Sequence, residues 1–522
     1  MTPVAQLQSA VRARLARLDA ERVLPRLWEA DPTVWQCGPG TPELADRLGW
    51  LTVGSSVAKE LGSLSGFADQ VRRDTDRVVL LGMGGSSLAA QVLWQAFGRR
   101  LRWPVFRMLD STHPGAIHAV EAGGDLASTL FIVASKSGTT IETDALFRYF
   151  WTRCQGRGDR FVAITDPGSP LERLAQARGF RRVFRTPPDV GGRFSALSLF
   201  GMVPAMLFGV PVGRLLERAE GMAHRCGPTT AIADNPGAAL GVSLAEAALG
   251  GRDKLTLLLP DRLQGFGLWV EQLIAESTGK NGQGILPVTG EPVQAALRHG
   301  DQRLYVAVEM GEVFRGSWQA HIRQLEAKHH PLARLRLDDP YDLGAEFFRW
   351  EMATAVAGAV LGVNPFDQPN VAESKAITSR ILRGGHGSDP PLLRRAELLR
   401  FFDGVRPGDY VAVQAFLPPD EHSEFHVRRL CSALRDRLEA VVTVGYGPRY
   451  LHSTGQLHKG GPQRGHFIQV VTQLGDDIPV PGTDYTFGRL IAAQAAGDYQ
   501  ALTSRGRPVI RVSDPEDLLA LM

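Results

Sequence analysis

The sequence has few cysteines, little excess charge of either sign and no long uninterrupted apolar run. Its four cysteines lie far apart, with no paired spacing and no histidine in metal-ligand register, which favours reduced structural thiols and no metal site. The 58 basic and 55 acidic residues are interspersed, so the basic surface that nucleic acid or anionic lipid requires is missing. No segment of transmembrane length is free of charges or breakers, and residues 1–22 carry charge and helical periodicity where a secretory signal would be apolar. We therefore expect a cytoplasmic protein without nucleic-acid or membrane partners.

Lysine is scarce as well, because only seven of the 58 basic residues are lysines. Four of the seven fall within the motifs described below: Lys136, Lys280, Lys375 and Lys459. Chance and surface solvation also explain so small a sample, so this bias only supports the motifs and does not establish them.

Short apolar runs alternate with helix-like stretches along the chain. Residues 77–81, 129–134 and 161–165 each precede a helical pattern, which predicts the βαβ units of a parallel sheet. A second series begins at Lys254 and ends in a long apolar helix at 344–361. An α/β protein of two or three domains is expected from this pattern and length. The remaining predicted strands follow a Gly/Pro-rich stretch and lie at 410–416, 441–444, 467–471 and 509–512.

The loop at 135–143 has the composition of a phosphate cradle. It reads Ser-Lys-Ser-Gly-Thr-Thr-Ile-Glu-Thr and follows the apolar run 130–134. Hydroxyl groups and the free N–H groups of the next helix can surround an anion there. The alternative is an ordinary Ser/Thr helix cap. The composition favours the anion site, with a sugar phosphate as the ligand class.

A second loop of this kind, Gly82-Met83-Gly84-Gly85-Ser86-Ser87, follows the strand pattern at 78–81. Its glycines allow a ligand to approach the backbone closely. The spacing differs from the dinucleotide fingerprint, because Leu88 stands where a third glycine is needed and no acidic residue follows about 20 residues later. This loop also favours a sugar phosphate, and no nucleotide cofactor is expected.

Two segments offer groups for proton transfer and charge stabilisation. Gln272 and Glu276 are four residues apart, hence on one face of the helix predicted to end at Gly279. Glu276 could be a general base, or an ordinary solvated glutamate. Arg193 lies in the glycine turn 189–195, where its cation could stabilise an enediolate or pair with Asp189.

Two later segments add a lysine and a histidine pair. At 364–375 the sequence predicts a helix start with Asp367 or Gln368 as the cap and Pro369 in the first turn, and Lys375 lies two turns beyond Gln368 on the same side. At 450–461 two histidines are six residues apart, a spacing that does not place both on one helix face as metal ligands.

Five motifs together resemble the glucose-6-phosphate isomerase family, over residues 75 to 380. They are Gly-Met-Gly-Gly-Ser at 82–86, the loop 135–143, Val-Gly-Gly-Arg at 190–193, Gln272 with Glu-Ser-Thr-Gly-Lys at 276–280, and Asn-Pro-Phe-Asp-Gln at 364–368 with Lys375. The chain is most similar to the isomerase half of fused transaldolase–isomerase proteins.

The resemblance implies two doubly wound, parallel-sheet sugar isomerase (SIS) domains, with a C-terminal α/β segment that completes the second. The active site would lie between the two domains. The expected divisions are an N-terminal helical segment at 1–60, SIS domains at 61–225 and 226–383, a linker at 384–399, and a C-terminal segment at 400–522 packed on the second domain.

The resemblance also assigns roles to single residues. Arg193 would stabilise the cis-enediolate, Glu276 would move the proton between C2 and C1, and Lys375 would assist at the ring oxygen. Gln272 and Gln368 would position the substrate. The phosphate would be held by residues of the two loops: Gly85, Ser86, Ser135, the backbone of Lys136, Ser137 and Thr140.

The ring-opening histidine departs from the family pattern. The family places it between the base glutamate and the late lysine, whereas Leu-His-Ser-Thr-Gly-Gln at 451–456 matches its motif only after Lys375. We therefore expect the C-terminal strands to complete the second sheet and to deliver His452. In the family this histidine comes from the partner subunit, so the rearrangement leaves a homodimer open.

The resemblance implies a cofactor-free and metal-free enzyme that interconverts glucose 6-phosphate and fructose 6-phosphate. One alternative is an isomerase that also accepts mannose 6-phosphate, which Gln272 argues against. Another is a sugar-phosphate-binding regulator without catalysis, although such regulators lack the glutamate, lysine and histidine set present here.

Overall fold

A computed structural model describes residues 3–38, 40–292, 300–311, 317–384, 395–438, 440–472 and 476–522. In these ranges the chain forms three separate sheets, and every pair of neighbouring strands is parallel. Helices connect most of these strands, as parallel pairing requires. The predicted α/β class is confirmed. Helices and strands are numbered below in chain order over the described residues.

The first sheet has five strands in the order β2-β1-β3-β4-β5. Strands β1 and β3 are buried along their whole length, which explains their uninterrupted apolar sequences. The N-terminal helices that precede this sheet are α1 (Pro3–Ala20), α2 (Val23–Trp28), α3 (Trp50–Ala58) and α4 (Leu61–Asp74). The sheet region consists of β1 (Arg77–Gly82), α5 (Leu88–Phe97), β2 (Val105–Leu109), α6 (Pro114–Ala122), β3 (Thr129–Ala134), α7 (Ile141–Arg153), β4 (Phe161–Thr165), α8 (Pro170–Ala177) and β5 (Arg182–Arg185), followed by α9 (Leu199–Leu207) and α10 (Val212–Arg225).

The second sheet has four strands in the order β7-β6-β8-β9. The long apolar helix predicted at 344–361 is confirmed as α14, and its buried residues join the largest hydrophobic core together with those of the first sheet. The elements of this region are α11 (Pro236–Leu249), β6 (Lys254–Leu258), α12 (Gln264–Thr278), β7 (Leu286–Val288), β8 (Arg303–Met310), α13 (Ser317–Ala327), β9 (Leu332–Leu337), α14 (Leu343–Leu361) and α15 (Pro369–Leu382).

The prediction that the C-terminal strands complete the second sheet is wrong, because they form a third sheet in the order β11-β10-β12-β13. Side chains join the two sheets: Leu286 and Val288 of β7 pack in one cluster with Tyr410 and Phe467. The third sheet is therefore attached to the second by apolar side-chain packing, and not by strand pairing. The elements are α16 (Arg395–Asp403), β10 (Tyr410–Phe416), α17 (Glu421–Leu438), β11 (Val441–Tyr446), α18 (Gly455–Gly460), β12 (Gly465–Val471), α19 (Phe487–Thr503), β13 (Val509–Val512) and α20 (Pro515–Leu521).

All three sheets begin with the same strand order, in which the first strand lies between the second and the third. The predicted linker 384–399 is described only in part: 385–394 lie outside the described residues and helix α16 begins at Arg395. The four cysteines are unpaired, and three of them are buried. Among the described helices, none is long and apolar enough to cross a membrane.

Candidate active site

The two predicted phosphate loops follow β1 and β3, which are neighbours in the first sheet. Successive connections leave these two strands in opposite directions, and ligands of open α/β sheets bind at such a point, outside the carboxyl ends of the strands. Residues 82–87 and 135–140 therefore lie where the fold favours a ligand. The sequence placed both loops correctly because each begins directly after a buried apolar strand.

The hydroxyl groups of the second loop bond to one another and do not cap the helix that follows. Ser135 Oγ lies 2.9 Å from Thr140 Oγ1, and Ser137 Oγ lies 2.8 Å from Thr139 Oγ1. Thr140 is the N-cap residue of α7, yet its side chain makes no cap hydrogen bond. The first N–H groups of α7 thus lack a side-chain cap from Thr140, which supports the anion site over the ordinary helix cap.

The side chain of Lys136 is engaged away from a ligand. Its Nζ pairs with Asp166 and donates to the Pro188 carbonyl at 2.8 Å. The Lys136 side chain is therefore occupied by Asp166 and Pro188, and a role of its backbone in ligand binding stays a prediction.

A cavity of about 160 Å³ joins this loop to two other parts of the chain. One wall is the loop and the start of α7, a second is α15, and the third is the segment after β11 together with α19. Two predicted catalytic residues, Lys375 and His452, meet at this cavity, although 77 positions separate them. Its lining residues are Ser137, Thr139, Thr140, Ile141, Glu142, Val371, Ser374, Lys375, Thr378, Ser379, Leu451, His452 and Gln494.

Arg193 is buried, and its guanidinium binds the beginning of the loop before α15. It donates to Gln368 Oε1 at 2.8 Å, to the Asp367 carbonyl at 2.8 Å and to Ser277 Oγ at 2.8 Å. Its Nη1 lies 3.5 Å from Glu276 Oε2. The alternative pairing with Asp189 is not what the structure shows. The cation is instead fixed beside the predicted base.

The helix that follows Gln368 begins where the sequence predicts, but its start does not reveal the hydrogen-bond partner of the Gln368 side chain. Helix α15 begins at Pro369 with Gln368 as its N-cap residue, as the sequence predicts, but the Gln368 side chain does not cap the helix. Its oxygen accepts from Arg193 instead. The neighbouring Asp367 forms an ion pair with Lys280 at 2.7 Å. Burial and the charge of Arg193 lower the pKa of Lys280 to about 8.

Gln272 links the base to the histidine segment. Its Nε2 lies 3.1 Å from Glu276 Oε2 and donates to the His452 carbonyl at 2.8 Å. Both Gln272 and Glu276 are buried, and both lie on one face of α12, which ends at Thr278 with the predicted last residue, Gly279, as its C-cap. The alternative of a solvated helix glutamate is therefore wrong for Glu276.

Two glycines of the first loop explain how these groups approach one another. A Cβ on Gly84 would lie 2.8 Å from Gln272 Nε2 and 2.9 Å from the His452 carbonyl, and the backbone there has φ of +52°. A Cβ on Gly85 would overlap the backbone of Gly192, beside Arg193. Ser86 directly follows this close approach. The glycine loop therefore packs directly against both the histidine segment and the Arg193 turn.

His452 is held by a carboxylate that no sequence motif pointed to. Its Nε2 lies 2.8 Å from Glu142 Oε1, and Glu142 is buried in the first turn of α7. Burial raises the pKa of Glu142, but the charge and hydrogen bond of His452 and the charge of Lys375 outweigh it, so the pKa lies below its usual value. The sequence carries one signal that could have pointed to Glu142: it is the second residue of helix α7, which follows the predicted phosphate loop.

Gln494 is another residue that the sequence analysis missed. It donates to Glu142 Oε1 at 2.7 Å from helix α19, in a region without any recognisable motif.

The second histidine of the 450–461 segment, His458, is buried. Its Nδ1 lies 3.4 Å from Gln414 Nε2. Across the described ranges, no group of three or more histidine, cysteine, aspartate and glutamate side chains could hold a metal ion.

A sheet switch point with hydroxyl-rich and glycine-rich loops lies next to a buried carboxylate–arginine–glutamine group, an arrangement that suits a phosphorylated ligand. Residues 60–288 match the family model for phosphoglucose isomerase.

Characterised relatives extend the similarity beyond the matched region. A glucose-6-phosphate isomerase of Rubrobacter xylanophilus is 29% identical over 435 residues, which cover 72% of this chain and 96% of the relative. One from Prochlorococcus marinus is 27% identical over 427 residues, 72% of this chain and 79% of the relative. The crystal structure of a glucose-6-phosphate isomerase from Chlamydia trachomatis shares the fold, with a TM-score of 0.60 and 22% identity over 74% of this chain and 88% of that one.

Proposed function

We propose that this protein is an aldose–ketose isomerase that interconverts glucose 6-phosphate and fructose 6-phosphate through a cis-enediolate. The observation that carries the proposal is the position of Gln272, whose amide contacts both Glu276 and the backbone of His452. This contact supports a shared site for the proposed base and for the segment that carries the proposed ring-opening histidine.

The proton transfer is assigned to Glu276. A carboxylate beside the substrate can remove the proton from C2 of the open aldose and return it to C1. The negative charge that develops on the enediolate oxygens then faces Arg193, which is held rigidly by five hydrogen bonds to Ser277, Gln368 and the carbonyls of Pro365 and Asp367. A fixed cation stabilises such a charge without having to reorganise.

Ring opening is assigned to His452, with Lys375 at the ring oxygen. Because the ionised Glu142 accepts from Nε2, the neutral imidazole carries its hydrogen on that atom, and Nδ1 is left to exchange a proton with the sugar. Gln272 and Gln368 position the substrate. The phosphate is assigned to Gly85, Ser86, Ser135, Ser137, Thr140 and the backbone of Lys136.

We further propose that His452 acts within its own chain. Its contacts with Glu142 and Gln272 inside one chain support this assignment. A homodimer, a cytoplasmic location and the finer resemblance to the isomerase half of transaldolase fusions stay predictions.

The proposed activity is tested by forming glucose 6-phosphate from fructose 6-phosphate in a dehydrogenase-coupled assay with EDTA present. Turnover that survives EDTA is expected. Bound fructose 6-phosphate without turnover would favour the sugar-phosphate-sensing alternative. Mannose 6-phosphate run alongside tests the dual specificity, and Gln272 predicts that it is a poor substrate.

A further inference from the structure

Glu142 receives two side-chain donors on one oxygen, and only one of them belongs to the proposed chemistry. His452 Nε2 lies 2.8 Å and Gln494 Nε2 lies 2.7 Å from Glu142 Oε1. Gln494 is 2% exposed and lines the same cavity. It belongs to α19, the helix between the last two strands of the third sheet.

The carboxylate of Glu142 decides which end of the Gln494 amide faces it. A reversed amide would place its oxygen against Glu142 Oε1, two acceptors in contact in a buried site, which is costly. The amide oxygen is therefore turned away from Glu142, and Thr112, fully buried after β2, donates to it from Oγ1 at 3.1 Å. This second hydrogen bond holds the amide in that orientation.

Helix α19 is packed firmly enough to hold this geometry. A Cβ on Gly497 would lie 2.7 Å from Thr378 Oγ1, so the glycine lets α19 approach α15, the helix that carries Lys375. On its other side, Phe487 and Leu490 join the hydrophobic cluster that contains Leu81 of β1. Helix α19 is therefore fixed both to α15 and to the core of the first sheet.

We propose that Gln494, oriented by Thr112, is a positioning residue that holds the Glu142–His452 pair in place for ring opening. The inference rests on the proposed function. With two donors, the carboxylate is fixed in orientation and favoured in its ionised form. Among the described residues, the charged or titratable groups around Glu142 are His452 at 2.8 Å, Lys375, whose charge lowers the pKa of Glu142, and Tyr485, whose own pKa is raised in part by the charge of Glu142.

The test compares Gln494→Leu with the wild-type protein on two substrates. Fructose 6-phosphate must be opened, whereas 5-deoxyfructose 6-phosphate lacks the hydroxyl that closes the furanose ring. We expect kcat/KM for fructose 6-phosphate to fall on the order of tenfold, as for a lost hydrogen bond to a charged group, and that for the open substrate to change little. The acid limb of the pH profile should move to higher pH, because losing a donor raises the pKa of Glu142.

Two further variants keep the test decisive if the leucine variant does not fold. Gln494→Glu retains the shape but adds a second carboxyl, which should raise the acid limb further because the two groups disfavour each other's charge. Thr112→Val should shift the limb in the same direction by less. Gln500→Leu changes the same residue type on the same helix, where the glutamine is exposed and bonded to Arg380, and should leave the profile unchanged.

Equal losses on both substrates with an unmoved acid limb in the Gln494 variants would overturn the inference and reduce Gln494 to a structural residue. A wild-type protein without turnover of fructose 6-phosphate would refute the proposed function, and the positioning role with it.

Discussion

The most informative perturbation asks whether His452 and Glu276 act in the same chain. His452 is joined to Glu142 and Gln272 by hydrogen bonds of 2.8 Å within one polypeptide. Its segment is also fitted closely to α12, because a Cβ on Gly279 would collide with Leu457. These contacts predict that His452 and Glu276 of one chain belong to the same site.

The test is co-expression of the Glu276→Gln chain and the His452→Ala chain, each with a different affinity tag, and measurement of the activity that they recover together. If each chain has its own site, every site in the mixture lacks one residue, and activity stays at the mean of the two variants. If the histidine came from a partner, random pairing in a two-fold dimer would give half mixed dimers with one intact site each, or about a quarter of wild-type activity.

The assay is glucose 6-phosphate formation by protein purified through both tags, and by the total mixture. Wild type co-expressed with the doubly substituted chain is the control for the effect of the tags. Recovery near a quarter of wild-type activity in the total mixture, or near a half in the protein purified through both tags, would refute the single-chain site. An absence of recovery is the expected result, whether or not the protein dimerises.

Three other substitutions test single parts of the site. His452→Ala should lower kcat/KM for fructose 6-phosphate by on the order of 10² while sparing 5-deoxyfructose 6-phosphate; equal losses would count against ring opening. Gly84→Ala places a methyl group 2.8 Å from Gln272 Nε2 in a backbone with positive φ, so calorimetry should show a loss of about 1–3 kcal/mol of stability, together with a lower kcat; wild-type stability would contradict the close approach. Arg193→Lys cannot span the acceptors of the planar guanidinium, and kcat should fall by on the order of 10² to 10³; near wild-type turnover would remove the cation from the mechanism.

The sequence predicted those parts of the site that depend on local pattern. Buried strands followed by hydroxyl or glycine loops predicted the positions of the two candidate phosphate loops, and Gly279 marked the end of the helix that carries Glu276. Both signals are short-range, because an apolar run and a turn residue determine them whatever the rest of the chain does.

Contacts between residues far apart in the sequence could not be predicted from these local patterns. Strand patterns at 410–512 do not say which sheet the strands join, and they form a third sheet that packs on β7 through side chains. The donors around Glu142 come from residues more than 300 positions away. Gln494 carries no local signal, since a glutamine in an amphipathic helix is ordinary until its partner is known.

The central claim, that Glu276 carries the proton, is tested most directly by comparing Glu276→Gln with Glu271→Gln. Both glutamates are buried in α12, but Glu271 faces Ser453. Burial raises the pKa of Glu271 to about 7, although the hydrogen bond from Ser453 lowers it. The amide introduced by Glu271→Gln therefore resembles the protonated form of Glu271.

The measurement is kcat for conversion of fructose 6-phosphate to glucose 6-phosphate, with substrate affinity measured by calorimetry on the same preparations. The account predicts that Glu276→Gln lowers kcat by on the order of 10² to 10⁴ with little change in affinity, and that Glu271→Gln stays within a few fold of wild type. Wild-type turnover in Glu276→Gln would contradict it.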